Sequence, residues 1–489
     1  MQNALLQVSR TTLNLSSYRR KSISKPCGAV VGLALAGLSV LSGSGVKAQQ
    51  ALGLTPIQAS GPNAQSFQGS IAKGEATGQA IDLTLDDAMQ RGLQNNLGVI
   101  LSGTQTAAAR GQRLSQLQSL LPSVDASIKD TVAEADLPAQ GLRIPGFPTI
   151  IGPFGYQDFR ATLSWSLVDV ASLRKYMAAQ HDFASAQLSA QDARDLVVLT
   201  VGNAYLLVLA DEWQVATAKV SLDQAVANHE AGTAPLLDEL RARVDSQSLQ
   251  QQLIVARNSL AKDKLSLART IGLPLAQSFN LTDKVPYSAF DQVDVEATIK
   301  QAHANRKDLA AMVEQVKAAE QQRKAATADR LPTLAFSGDY GDIGVNVRHS
   351  HGTGDASGTV SVPLFAEFAL RGEAEIAQSS LDTDKDKLSD QTAQVDADIR
   401  DALLDIESAQ KLVEVARSSV DLANEALKEA QERYANGVSD NLAVSQAEQS
   451  VAQADNQYVT SLYRHNVAKL SLARALGAGQ SYKIYLGGK

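Results

Sequence analysis

A seven-residue repeat between Leu388 and Tyr434 constrains the fold of this chain more than any other feature. One position of the repeat is mostly small: Leu388, Val395, Ala402, Ala409, Ala416, Ala423 and Ala430. Four residues later, a second position is mostly large: Thr392, Ile399, Ile406, Val413, Val420, Leu427 and Tyr434. This spacing is typical of the seam of a coiled-coil helix. Because neither Pro nor Gly interrupts it, the stretch predicts one helix of roughly 70 Å.

The repeat then stops and restarts in the opposite order. Asn436 and Gly437 predict a turn, and the sequence from Ser439 through Asp440 offers an N-cap for the next helix. In that helix the large positions are Val444, Val451, Tyr458, His465 and Leu472, and the small positions are Ala447, Ala454, Ser461, Ala468 and Ala475. Leu388–Leu476 is therefore predicted to form an antiparallel helical hairpin with its tip at Gly437. A generic coiled coil would show the same pattern on this stretch alone.

Comparison of the chain with itself predicts a tandem duplication. Residues 83–89 recur 210 residues later, and Leu121-Pro122 recurs as Leu331-Pro332 at the same offset. Leu167 matches Leu364 at an offset of 197. Residues 264–272 match residues 469–477 almost identically at an offset of 205. The first long helix is therefore eight residues shorter than the second, and seven of these eight correspond to one heptad, whose loss keeps the packing face of a coiled coil.

Each repeat is predicted to contain a first helix, a non-helical block, a long helix, a glycine tip and a return helix. The first helices are predicted over Leu85–Ser119 and Val295–Asp329, with Thr84 and Asp294 as N-caps and Leu-Pro as the stop signal. The repeats span residues 81–290, with a tip near 232, and 291–480, with a tip near 437. A flexible arm is predicted over residues 49–80 and a C-terminal tail over residues 481–489.

Two β-hairpins are predicted between the helices, at about residues 123–169 and 333–366. Apolar and polar residues alternate there, and the loops between strands are predicted at Leu137–Tyr156 and Gly341–Gly358. Strands of this length cross a bilayer when tilted. Four strands alone would leave unpaired edges in lipid, so several chains must close a barrel: two copies give eight strands and three give twelve. A soluble four-stranded sheet that caps a helical bundle remains the alternative.

The first 48 residues are predicted to be a secretory signal peptide. Five basic residues precede an apolar run from Ala29 to Leu41, and small residues follow at Val46 and Ala48. A membrane anchor is the weaker alternative, because the run is short and contains glycines. Cleavage removes six basic and no acidic side chains, which takes the formal net charge from −7 to −13, and it removes the only cysteine, Cys27. An acidic exported chain is not expected to bind nucleic acid.

No pattern predicts an enzyme, a cofactor or a metal site. The sequence lacks nucleotide-binding glycine motifs and a nucleophile elbow. His349 and His351 lie in a glycine-rich stretch, where two histidines alone are expected to be solvated. The mature chain also lacks a continuous run of 18 apolar residues, so no transmembrane helix is predicted there.

Over residues 83–477 the chain resembles the TolC family of outer-membrane efflux proteins. The resemblance rests on residues 83–88 with Asn95-Asn96, on the two Leu-Pro pairs, on residues 164–167 and 361–365 before the long helices, and on residues 229–232 and 433–437 at the tips. It implies a homotrimer in the Gram-negative outer membrane, with a twelve-stranded β-barrel entered near Trp165 and Pro363 and an α-barrel of long helices in the periplasm.

The resemblance also implies an exit duct that serves tripartite efflux or type I secretion. A periplasmic adaptor is expected to dock on the helical tips, at Gly232, Thr233, Gly437, Val438 and Ser439, and an inner-membrane pump is expected to supply energy and substrate. In this family acidic residues beyond the tips line a closed aperture. Asp238 and Glu239 fit the first tip, but only Asp440 is acidic near the second, where Ala443 and Gln446 replace expected carboxylates.

Two other classes of protein fit the sequence less well than a channel. A soluble periplasmic coiled-coil adaptor also contains helical hairpins, but such adaptors do not repeat them in tandem with equivalent strand hairpins. An enzyme with a helical stalk has no catalytic constellation to support it. The alternating helices and strand hairpins, present twice, favour the channel.

Overall fold

The structure is a computed structural model that describes residues 67–139, 141–143, 145–230, 236–283, 287–291, 293–439 and 441–486. The predicted signal peptide lies outside these residues. The first repeat contains β1 (Ile81–Leu83), α1 (Leu85–Asn95), α2 (Leu97–Gln118), β2 (Ser123–Asp136), β3 (Ile150–Val168), α3 (Val170–Glu230), α4 (Leu236–Ile271) and β4 (Phe279–Leu281). The second contains α5 (Val295–Asn305), α6 (Lys307–Ala328), β5 (Thr333–Gly344), β6 (Ser350–Ser361), α7 (Glu367–Ala435) and α8 (Asn441–Ala475), and α9 (Tyr482–Tyr485) follows in the predicted C-terminal tail.

The long helices confirm the predicted architecture. Helix α7 has 69 residues and pairs with α8, which has 35, as the heptad pattern predicts. Helix α3 has 61 residues over its described part.

The first helix of each repeat is broken in two, and the prediction of single helices over Leu85–Ser119 and Val295–Asp329 was wrong. The breaks fall at Asn96 and Arg306, whose backbones are extended, with ψ of 134° and 123°. The Asn96 side chain accepts a hydrogen bond from Gly98 N at 2.9 Å and so starts α2 as an N-cap. Thr84 and Asp294 cap α1 and α5 as predicted, by accepting from Asp87 N and Glu296 N.

The two β-hairpins join into one antiparallel sheet with the strand order β2-β3-β5-β6. The second loop is much shorter than the predicted Gly341–Gly358, because pairing continues to Gly344 and resumes at Ser350. Similarly, β3 already begins at Ile150, inside the loop predicted at Leu137–Tyr156. Glycine-rich sequence suggested loops here, but backbone pairing across the sheet outweighs the weak strand preference of glycine.

A second, small sheet joins β1 and β4 in parallel, with Ile81 opposite Phe279. It closes the base of the first repeat, where α1 packs against α3 and α4. Most of the hydrophobic core surrounds α3, whose buried residues include Val197, Val201 and Tyr205. Helix α3 contains a stretch long and apolar enough to cross a membrane by composition, but 67% of that stretch is buried within the chain. Its apolar character is therefore explained by packing.

The two ends of the described chain pack on this core. Phe67, inside the arm predicted over residues 49–80, is buried against α2, and Ile71 N donates to Asn95 O at 2.9 Å. Within the predicted C-terminal tail, Tyr482 is buried and its hydroxyl contacts the carboxylate of Asp86. Both segments carry aromatic side chains whose burial holds them against the helices.

Equivalent glycines end the two return helices. Gly272 and Gly477 both have positive φ, of 78° and 67°. A Cβ at Gly272 would lie 2.6 Å from Asn95 Cβ, and one at Gly477 would lie 2.9 Å from the carbonyl carbon of Asn305. Any other residue would be strained in its backbone and would clash with the helix break. The duplication therefore preserves this contact in both repeats.

Candidate functional site

Over the part next to the helices, the four-stranded sheet has one polar face. The observed register places the following residues on that face: Ser123, Asp125, Ser127 and Lys129 of β2; Asp158, Arg160, Thr162, Ser164 and Ser166 of β3; Thr333, Ala335, Ser337, Asp339 and Gly341 of β5; and Thr353, Asp355, Ser357, Thr359 and Ser361 of β6. Hydroxyl and charged groups dominate all four strands, so this face is suited to contact water.

The opposite face over the same part of the sheet is apolar except at Asp342, which lies opposite Phe159 at its far end. It holds Val124, Ala126 and Ile128 of β2; Phe159, Ala161, Leu163 and Trp165 of β3; Leu334, Phe336, Gly338 and Tyr340 of β5; and Gly354, Ala356, Gly358 and Val360 of β6. Val124, Ile128, Tyr340 and Val360 are exposed in the single chain. A sheet that is apolar outside and polar inside is the pattern of a membrane barrel around an aqueous lumen.

Arg160 links three strands on the polar face. Its Nε donates to Asp158 Oδ1 at 3.2 Å on the same strand, and its guanidinium contacts Asp339 on β5. Its Nη2 donates to Thr353 Oγ1 on β6 at 3.2 Å. A charged group in this position is compatible with a bilayer only if the face lines a water-filled interior.

The two residues predicted at the entry to the barrel lie where the strands meet the helices. Trp165 Nε1 donates to Leu120 O at 3.2 Å, so the indole ties β3 to the turn that precedes β2. Pro363 is exposed between the end of β6 and the start of α7. The structure thus places both at one end of the sheet, and their role in the barrel stays a prediction.

The second helical tip is closed by glycine. Gly437 has a φ of 70°, its N–H donates to Tyr434 O at 3.0 Å, and Val438 N donates to Arg433 O at 2.9 Å. These two bonds form a Schellman motif, which satisfies the last carbonyls of α7. Val438 is 69% exposed, and Ser439 is half-buried. The tip therefore presents an apolar side chain to its surroundings.

The remaining predicted tip and aperture residues cannot be placed in this way. Gly232, Thr233 and Asp440 lie outside the described residues. Asp238 and Glu239 fall on α4, but their side chains are also outside what the structure describes. Docking at the tips and an acidic aperture accordingly stay predictions.

The predicted seam of α7 is buried along most of its length within a single chain. Ala402, Ile406, Ala409, Val413, Ala416 and Leu427 are buried, Val420, Ala423 and Ala430 are half-buried, and Tyr434 is exposed. The seam packs against α8, and its lower part also meets α5 and α6. Burial of the seam decreases toward the tip.

An insertion into α7 tests the seam. We expect three residues inserted after Ala416 to abolish assembly, because they rotate every later seam position away from α8, whereas seven residues restore the face. Assembly is measured by sedimentation of the detergent-extracted protein. Equal loss of assembled protein with both insertions would contradict a continuous heptad seam.

Two carboxyl groups in the helical region, one buried and one half-buried, were not identified as special from the sequence. Asp211 occupies a small-residue position of the α3 seam, together with Ala204 and Ala218, and is buried. Burial, with the hydrogen bond and the negative charge of Asp263, raises the pKa of Asp211 to about 8. Burial also raises the pKa of Asp192 to about 6, although the charge of Arg474, 2.6 Å away, acts against this. An acidic residue at a seam position was the available sequence signal.

Arg306 is a buried charged residue at the helix break of the second repeat. Arg306 pairs with Asp308 at 2.6 Å and with Asp398 of α7 at 2.6 Å. Burial alone would raise the pKa of Asp308, but the hydrogen bond and charge of Arg306 and the charge of Arg474 hold it below its usual value. Arg306, at the end of α5, therefore also links the helix break to α7 through its ion pair with Asp398.

These features define a class of protein. The chain contributes four strands, apolar on one face and polar on the other, to a membrane barrel that needs further copies to close, and two long helical hairpins that continue from it. No group of three or more metal-ligating side chains was found in the parts of the chain that the structure covers.

Residues 298–478 match the profile of the outer membrane efflux proteins, and the chain is similar to members of the TolC family. It is 21% identical over 415 residues to the probable efflux pump outer membrane protein TtgC of Pseudomonas putida, covering 81% of this chain and 84% of the relative. It is 24% identical over 472 residues to the outer membrane protein OprJ of Pseudomonas aeruginosa, covering 88% and 93%.

Solved structures share the fold. The Campylobacter jejuni CmeC outer membrane channel superposes with a TM-score of 0.71 at 18% identity, covering 85% of this chain and 92% of that one. The outer membrane protein VceC of Vibrio cholerae gives 0.70 at 19% identity, covering 80% and 96%. The profile match and the relatives support an outer-membrane exit channel, and they do not support the alternative of a soluble adaptor.

Proposed function

We propose that three copies of this chain form the exit duct of a tripartite efflux pump for small apolar or amphipathic molecules. The main support is the two-faced sheet continuous with the helical hairpins, because its polar face would line a passage through the membrane. The cargo class is taken from relatives described as a toluene efflux pump outer membrane protein and an antibiotic efflux pump outer membrane protein. No covalent chemistry is assigned to the chain.

Within this proposal a periplasmic adaptor binds the helical tips, at Gly232, Thr233, Gly437, Val438 and Ser439. The exposed Val438 beside a tightly closed Schellman turn supports this, because it offers an apolar contact on a rigid backbone. The adaptor connects the duct to an inner-membrane pump. Asp238, Glu239 and Asp440 are proposed to line the aperture that opens when the adaptor is bound.

Substitution of Val438 tests the proposal. In a strain that lacks this chain, wild-type protein is expected to restore export of a fluorescent apolar dye, whereas Val438→Glu is expected to abolish it, because a charge replaces the apolar contact. The matched control is Val347→Glu, which changes an equally exposed valine in the loop between β5 and β6. Light scattering with detergent subtracted should give about three chains for every variant.

Three results would contradict parts of this proposal. The wild-type protein could assemble and restore export of a secreted protein without ever lowering dye accumulation. That result would indicate type I secretion as the function, in place of efflux. Val438→Glu that exports as well as the control would remove the tip from the adaptor site. A particle of one chain would contradict assembly itself.

A further inference from the structure

The first β-hairpin extends beyond the second one at the end of the sheet that lies away from the helices. The last pair that joins the two hairpins is Gln157 of β3 opposite Gly344 of β5. Strand β3 continues for seven further residues, 150–156, which pair with β2 alone among the described strands. This extension, residues 130–156 with their connecting loop, is the projecting hairpin. At about 3.3 Å per residue, its paired part projects roughly 23 Å beyond the four-stranded sheet.

Carboxylates mark the level at which the lipid-facing side of the sheet ends. Asp342 and Asp130 both lie on that side, opposite Phe159 and Gln157 respectively. An ionised carboxylate is expensive in hydrocarbon, so the apolar core of the membrane ends at about this level. The projecting hairpin therefore lies in water beyond the bilayer, where lipid no longer requires an apolar side.

One side of the projecting hairpin continues the lumen side of the sheet, but its chemistry changes. Below it, the lumen side carries hydroxyl and charged groups. In the projecting hairpin, the same side has Tyr156 opposite Thr131 and Phe154 opposite Ala133. These two pairs include no charged residue, so the side that faces water inside the barrel becomes apolar and aromatic outside it.

The other side of the projecting hairpin is acidic. Burial in β2 alternates here: Thr131, Ala133 and Ala135 are half-buried, whereas Val132, Glu134 and Asp136 are exposed. The side that continues the lipid face thus carries Glu134 and Asp136 beyond Asp130. Compared with the sheet below, the two sides of the projecting hairpin have exchanged their polarity.

The two aromatic rings contact each other and remain accessible. The ring centroids of Phe154 and Tyr156 are 6.5 Å apart, with an angle of 24° between the planes. Phe154 is 40% exposed and Tyr156 is half-buried. Rings of a membrane girdle lie on the lipid side of a barrel, so this pair does not belong to one. A two-stranded hairpin is only marginally stable in water, and its exposed aromatic side favours a cover.

We propose that the projecting hairpins of the three copies lean toward the axis of the duct and close its outer mouth with their aromatic sides. This gate rests on the proposed trimeric duct and adds a closure at its outer end. Twelve strands that are about 4.8 Å apart and tilted by about 40° enclose a barrel with a radius of about 12 Å. A projection of roughly 23 Å is therefore long enough to reach the axis, whereas the second hairpin ends at the level of the sheet.

Charge selects the sides that meet. If the hairpins met through their other sides, the carboxylates of Glu134 and Asp136 from several copies would come together and repel one another. The same carboxylates disfavour contact with the phosphates of lipid headgroups. The aromatic sides carry no such charge, and their burial against each other removes apolar surface from water.

The chemistry of the rings indicates what the gate excludes. An apolar constriction closes a channel by expelling water from it, so polar solutes outside the cell do not enter. Below the rings the lumen is wet, because Arg160 and its carboxylate partners line it. Apolar or amphipathic cargo that arrives from the duct can contact Phe154 and Tyr156 and part them. The gate thus favours export over entry.

Cysteine labelling from outside the cell tests the gate. In the Cys27→Ser background, Ser164→Cys places a thiol on the lumen side of β3, below Arg160. Intact cells are treated with a water-soluble maleimide that is too large for general porins. Ser164→Cys is expected to react slowly with the native hairpin. Adding Phe154→Ala and Tyr156→Ala should accelerate labelling by about tenfold or more, because no rings remain to close the mouth.

Three controls accompany this experiment. Val132→Ala removes an apolar side chain that is 75% exposed on the opposite side of the same hairpin, and labelling should stay slow. Phe154→Tyr with Tyr156→Phe keeps both rings and should also stay slow. Ala139→Cys, in the loop beyond the rings, should label fast in every background. Light scattering in detergent should give about three chains for each variant.

The outcomes separate the gate from the proposed function. Equal labelling rates with the native and the alanine hairpin, whether fast or slow, would overturn the gate, and dye export would still test the duct. Labelling as fast with Val132→Ala as with the double alanine variant would also overturn closure by the aromatic side. Slow labelling with the native hairpin and fast labelling with the alanine hairpin, in cells that never export dye, would support the gate and contradict the efflux function.

Discussion

Replacement of Asp211 with asparagine is expected to stabilise the protein at neutral pH and to flatten the dependence of its stability on pH. The Asp211 side chain is buried between α3 and α4, with only 5% of the residue exposed. Burial, together with Asp263, raises its pKa from 3.8 to about 8. Tyr463 lies nearby on α8, and its hydroxyl donates to Asn203 Oδ1 at 2.6 Å.

The sign follows from proton binding. Between pH values of about 4 and 8 the folded protein holds a proton on Asp211 that the unfolded chain releases, so stability falls as pH rises through this window. The contribution of Asp211 to the free energy of unfolding is highest at pH values below its pKa in the unfolded chain, and it is fully lost at pH values above its pKa in the folded protein. At pH 7 keeping the proton costs the folded state on the order of a few kcal/mol. An asparagine has no proton to release and preserves the shape of the side chain.

Thermal unfolding of the detergent-extracted protein at several pH values measures this effect. The midpoint of wild-type protein should fall between about pH 5 and pH 8, whereas that of Asp211→Asn should vary less and exceed wild type at pH 8. Asp223→Asn, an exposed position on the same helix, is the control and should behave like wild type. An Asp211→Asn midpoint below wild type at pH 8 would contradict a destabilising buried carboxyl.

The heptad between Leu388 and Tyr434 predicted α7 and α8 because a long seam is a local, strictly periodic pattern. The sequence offsets predicted the relation between the two repeats for the same reason, because they depend only on segments that recur along the chain. The alternation of polar and apolar residues predicted the strands where it was regular. It failed at residues 341–358, where glycines suggested a loop, because pairing with a neighbouring strand is not visible in local composition.

Other features depend on partners far away in sequence. The pairing of β1 with β4 joins three-residue strands about 200 residues apart, and no local pattern marks them. The break at Asn96 has no proline or glycine as a signal, and it depends on contacts of the Asn96 amide with Phe67 O and Thr270 O. Asp211 was visible as an acidic residue in a small position, but its raised pKa follows from burial and from Asp263 across the helix pair.

Replacement of Arg306 with leucine is expected to cause the largest loss of stability. The residue is 4% exposed, and its guanidinium is shared by Asp308 and Asp398, each 2.6 Å away. Leucine fills similar space but leaves two carboxylates in the helix junction without their main cation. Breaking one side of a buried ion pair typically costs about 3–5 kcal/mol, because the remaining charge stays desolvated.

Arg330→Leu is the matched control for this substitution. Arg330 pairs with Glu367 at 3.1 Å but is 41% exposed, and an exposed pair contributes about 0–1 kcal/mol. Thermal unfolding at neutral pH should therefore show a large drop in midpoint for Arg306→Leu and little change for Arg330→Leu. The Arg306→Leu deficit should shrink on acidification, because Asp308 then becomes neutral more readily without the arginine that lowers its pKa. Equal midpoints for the two variants would mean that α5, α6 and α7 are held together by apolar packing alone.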